Sequence, residues 1–71
     1  MNLKGNMVSA LRQDCYGKIQ LARMNILVLM NNPSGTGGHP DIMETIQGQL
    51  DIISQQQGRL AVLDGGEYDK E

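Results

Sequence analysis

The stretch Asn31-Asn-Pro-Ser-Gly-Thr-Gly-Gly-His-Pro-Asp41 is the one long interruption in a chain that otherwise reads as two helices. Before it, apolar residues fall at Leu11, Cys15, Ile19, Ala22, Ile26 and Leu29. After it, Ile42, Ile46, Leu50, Ile53, Gln57 and Leu60 repeat the same spacing of 4, 4, 3, 4 and 3. At about 3.6 residues per turn, each list is a single straight stripe on one helix face. Two stripes of matching length, separated by a break rich in Gly and Pro, predict an all-α antiparallel helical hairpin, with helices over about 6–30 and 41–64 and a loop over 31–41.

Local signals set the expected limits. The first five residues, ending in Gly5, read as frayed, with the first helix starting near Asn6 or Ser9. Asn31, Asn32 and Pro33 end it, because proline disfavours helical geometry in the residue before it and clashes with the preceding turn. The second helix opens on Pro40 and on Asp41 followed by Glu44, the D-x-x-E form of a capping box. It closes at Gly65-Gly66, which supplies a left-handed C-cap residue. Residues 65–71 read as a disordered acidic tail. In the loop, at least one of Gly35, Gly37 and Gly38 is expected at positive φ.

A chain of 71 residues buries only about 60 to 65% of its unfolded surface and needs a staple or a partner. One cysteine, Cys15, makes no intramolecular disulfide, and one Cys with one His makes no structural zinc site. Association remains. The expected surface for it is Leu21, Met24, Leu27 and Val28, which point away from the centre of the first stripe, and a helix apolar around most of its circumference is normally buried. The simplest product is a dimeric four-helix bundle, with a trimer or hexamer as alternatives. Five methionines suit adaptable helix interfaces.

Charge is divided. Lys4, Arg12, Lys18 and Arg23 against Asp14 leave residues 1–32 at +3, whereas Arg59 and Lys70 against seven carboxylates leave residues 33–71 at −5. The halves attract, and no basic patch of the kind expected for generic nucleic-acid binding stands out. No secretory signal is visible, and the longest apolar run, Ile26-Leu-Val-Leu-Met30, is far shorter than a membrane span. A cytoplasmic protein with no membrane partner is expected, in a reducing compartment.

Residues that carry chemistry are few. Arg12, Tyr16 and Arg23 project within about 40° of one another on the first helix. Such a ridge can stack a base and hold phosphates, or it can be an amphipathic border whose Arg stems pair with Asp51 or Glu44. Gly35-Thr-Gly-Gly38 before a helix start resembles a phosphate cradle, yet it lacks the Gly-Lys-Ser/Thr ending of a P-loop and reads more simply as a turn. His39 suits a cap or loop hydrogen bond better than catalysis. Cys15 on the stripe is an inert buried thiol, and Gln57 is a polar group that sets register. If a ligand exists, it is anionic and sits where Arg12, Tyr16 and Arg23 of one chain meet Ser34, Gly35, Thr36, Gly37, Gly38 and His39 of another.

Ala22-Arg-Met-Asn-Ile-Leu-Val-Leu-Met-Asn-Asn-Pro-Ser-Gly-Thr-Gly-Gly-His-Pro-Asp-Ile42 resembles a group of short helical-hairpin proteins of tailed phages infecting cyanobacteria. They share an Asn-Pro, Gly-x-Gly, His-Pro-Asp-Ile loop. The resemblance is close over 31–42 and loose over 15–63, and Gly38 stands where the group has Glu. It implies a phage setting, hence host-cell cytoplasm, and supplies no catalytic residues or cofactor. The expected function is therefore a non-enzymatic, self-associating phage accessory protein that binds a host factor or a small nucleotide-like anion. The alternative is a structural or assembly component of a virion with no small ligand.

Overall fold

The computed structural model describes residues 2–31 and 41–68. Two helices, α1 (Leu3–Asn31) and α2 (Ile42–Asp64), pack against each other as a hairpin. The expected loop chemistry at Pro33, the glycines Gly35, Gly37 and Gly38, His39 and Pro40 lies outside the described residues.

α1 begins at Leu3, earlier than the expected Asn6 or Ser9, because Asn2 caps it. The Asn2 carboxamide oxygen accepts from the Gly5 amide at 2.9 Å, and the Asn2 carbonyl accepts from the Asn6 amide at 3.1 Å. The first bond satisfies a donor that a helix start leaves orphaned, and the second is the first rung of the helix itself. Gly5 belongs to this cap rather than to a frayed end: a Cβ there would stand 2.9 Å from the Asn2 side-chain nitrogen. At the far end Asn31 is helical, and its side-chain nitrogen donates to the Leu27 carbonyl at 2.8 Å.

At the start of α2, Asp41 takes the N-cap position, but its side chain makes no capping bond, so the expected capping box does not form. The Asp41 carbonyl opens the helical ladder, accepting from the Thr45 amide at 2.9 Å and the Thr45 hydroxyl at 3.0 Å. Glu44 still places negative charge in the first turn, where the helix dipole favours it. The expected left-handed residue at the C-terminus is Gly66, with φ of 73°, while Gly65 stays right-handed.

The interface follows a tighter rhythm than the two straight stripes. On α1 the buried and half-buried positions are Val8, Arg12, Cys15, Ile19, Ala22, Ile26 and Leu29. On α2 they include Ile42, Ile46, Gln49, Ile53, Gln56, Leu60 and Leu63. Both alternate steps of four and three, a repeat of 3.5 that keeps one seam facing a partner along its whole length. Leu11 and Leu50 are consequently exposed, and Gln56 replaces Gln57 in the seam. A straight stripe drifts off the partner by about 20° per heptad, which displaces those residues onto the flanks.

Cross-helix hydrogen bonds fix the antiparallel register. Arg12 reaches the Asp64 carboxylate and the Leu63 carbonyl at one end, and the Asn25 side-chain nitrogen donates to the Gln49 side-chain oxygen at 3.1 Å nearer the other. Stepping along the seams between these anchors sets Cys15 level with Leu60, Ile19 with Gln56, Ala22 with Ile53 and Leu29 with Ile46. The core is thin. Val8, Cys15, Ile19, Ala22 and Ile46 are the buried hydrophobic residues among those described, and no large side chain is completely enclosed.

Candidate functional site

Helical geometry keeps Arg12, Tyr16 and Arg23 on one flank of α1, but they do not form an equal trio. Arg12 sits on the seam, half-buried, with its guanidinium against Asp64 and the Leu63 carbonyl. The partner is Asp64 rather than the expected Asp51 or Glu44, because antiparallel register brings the start of α1 beside the end of α2. There a cation meets the carbonyl end of the α2 dipole, which favours positive charge. Arg12 thus closes the open end of the hairpin.

Tyr16 and Arg23 stand free of the seam and exposed. Register places Tyr16 level with Arg59 and Arg23 level with Ile52. Arg23 has no ion-pair partner among the described residues, whereas Lys18 pairs with Asp14 at 2.8 Å one turn away. The loop residues assigned to the same site, Ser34 to His39, lie outside the described residues. Arg12 and Asn31 are separated by about 28 Å of helix rise. The Arg12 end and the loop end of one hairpin therefore stand apart, as the sequence requires.

The second group, Leu21, Met24, Leu27 and Val28, is exposed throughout. Leu21 keeps 69% and Val28 62% of its surface accessible. At about 100° per residue, Leu21, Met24 and Val28 share one face with Gly17 and Met7, while Leu27 turns to the opposite flank beside Tyr16.

Two open clefts flank α1 on the Leu21 side, and the sequence reading anticipated neither. One, of about 520 Å³, lies between the start of α1 and the end of α2, where Met7, Leu11 and Cys15 face Arg59, Val62 and Tyr68. The other, of about 590 Å³, lies over Gly17 and is lined by Asp14, Lys18, Gln20, Leu21 and Met24. The signal for both was present in part: Met7 recurs on the same face as Leu21 and Val28, outside the stripe that defined the hairpin, and Leu11, the first residue of that stripe, is exposed beside it.

Inside the seam, Gln56 retains 2% of its surface, and its side-chain oxygen is buried without a hydrogen-bond partner. Gln49, the other seam glutamine, is satisfied by Asn25. Cys15 is free and buried, as expected. Among the described residues, no helix is long and apolar enough to cross a membrane. No protein-family model, curated protein or solved structure matches the chain.

Proposed function

We propose that the chain is a self-associating helical hairpin that acts by binding rather than by catalysis, in a phage accessory role such as holding a host factor or a small anion. The observation that carries the reading is the exposed apolar face of α1 around Leu21, Met24 and Val28. Burying a Leu or Val side chain gains about 1.5 to 3 kcal/mol. A partner on that face would add to a thin intramolecular core. A dimeric four-helix bundle is the simplest assembly, and Tyr16 and Arg23 of the ridge would offer an anion an aromatic face and a guanidinium.

Engagement of Arg12 by Asp64 and Leu63 favours a second reading, a structural or assembly component of a virion with no small ligand. With that guanidinium occupied, the ridge offers an anion chiefly Arg23 and Tyr16. Thermal shift against a nucleotide panel separates the two. Ligand at 100 times Kd adds about 2.7 kcal/mol of stability. A response abolished by Arg23→Ala supports the binding reading, and no response from any nucleotide, with retention of the protein in purified particles, supports the structural one.

A further inference from the structure

The exposed apolar residues of α1 have a symmetry that the hairpin does not use. Met7 and Leu11 lie on one side of Gly17, and Leu21, Met24 and Val28 on the other. Turning a second α1 antiparallel about a point beside Gly17 and Lys18 sets Met7 level with Val28, Leu11 with Met24, and Asp14 with Leu21. A two-fold interface must be self-complementary in this way, since each patch meets its own copy.

We infer that two copies associate through an isologous antiparallel crossing of α1 on α1, with the closest approach at Gly17. This rests on the self-association proposed above and names its surface. Gly17 is a notch: a Cβ there would meet nothing within 4 Å, and the 590 Å³ cleft lies directly over it. In the middle of a long helix a glycine costs about 1 kcal/mol relative to alanine, and close approach of another backbone is a use that offsets this. The C-terminal half of the second α1 would lie over Met7 and Leu11, placing Met24 and Val28 at the 520 Å³ cleft.

Charge agrees with the crossing. Asp14 and Lys18 flank Gly17 and pair within one helix at 2.8 Å. In the antiparallel arrangement Lys18 of each copy lies beside the partner's Lys18, and Asp14 of each copy stands within a turn of both, so two carboxylates offset the two ammonium groups at the axis.

Area agrees as well. The accessible surface is 5309 Å², and a compact monomer of 7.8 kDa exposes roughly 4,400 Å². The excess of roughly 900 Å² reflects an elongated hairpin that leaves a second apolar face in water, and a standard interface takes ~800 Å² from each partner. Leu27, on the opposite flank, has no place in this interface, which narrows the surface expected from the sequence.

Disulfide trapping tests the crossing. In a Cys15→Ala background, Gly17→Cys should form an intermolecular disulfide under mild oxidation in most of the protein, and Leu27→Cys should not. A dimer that links through Leu27→Cys and not Gly17→Cys would overturn the crossing while leaving self-association intact. A monomeric wild type would overturn both. If the Cys15→Ala background fails to fold, charge exchange in the native background replaces it. Asp14→Lys and Lys18→Asp should each weaken dimerisation about tenfold and the double exchange should restore it; equal dimerisation in all three variants would reject the interface.

Discussion

Gln56 brings a carboxamide oxygen into the middle of the seam, level with Ile19, and finds no donor there. A buried acceptor left without a partner costs about 1 to 3 kcal/mol, whereas an apolar group of the same shape carries no such penalty. Gln56→Met is therefore expected to stabilise the hairpin by about 1 to 3 kcal/mol, seen as a higher urea midpoint at unchanged slope. A lower midpoint would mean that the carboxamide is satisfied in solution. At Gly66 the direction is reversed. Its φ of 73° is a conformation that side chains resist, so Gly66→Ala should lose about 1 to 2 kcal/mol. Thermal melts will show this as a lowered Tm, and no change would put the left-handed cap in question. Arg12 belongs to the same scale: its pairing with Asp64 is part-exposed, so Arg12→Ala should cost no more than about 1 kcal/mol of fold stability.

For the helices, the repeat of the seam decides which side chains matter. Ile46 is buried and Leu50 keeps half of its surface, although both belong to the same apolar pattern. Ile46→Ala should cost about 2 to 5 kcal/mol, while Leu50→Gln should stay within about 0.5 kcal/mol of wild type, both measured by chemical denaturation of the same preparation. Comparable losses at the two sites would restore the straight stripe and reject the 3.5 repeat. The sequence did reveal both helices, the break between them, and most of the buried and half-buried positions: Cys15, Ile19, Ala22, Ile26 and Leu29 on α1, Ile42, Ile46, Ile53 and Leu60 on α2. It misassigned Leu11, Leu50 and Gln57 because choosing the largest apolar residue at each turn ignores how two long helices bend to stay in contact. Arg12 and Gln49 enter the seam for reasons that periodicity does not contain, since each is held by a hydrogen bond to the other helix. The start of α1 escaped because a cap made by Asn2 is invisible to an argument from apolar spacing. For the candidate site, helix geometry gave the grouping of Tyr16 and Arg23 but not the capture of Arg12, which depends on register.

As a whole molecule the hairpin is a rod of 53 × 18 × 12 Å, with a radius of gyration of 16.3 Å where a compact fold of this length has about 11 Å. Two packed helices cannot enclose a large side chain between them, and the apolar residues that do not reach the seam remain on the surface. Self-association answers this in the same terms that predict the hairpin, by covering one more helix face. Sedimentation equilibrium on the wild type and Leu21→Asp at micromolar concentration is the most direct test. The expected wild-type mass is about twice the 7.8 kDa of one chain, or a higher multiple, with a shift of Leu21→Asp to the single-chain mass and loss of helical signal. A wild type that sediments as a folded single chain, with Leu21, Met24 and Val28 all left in water, would contradict it.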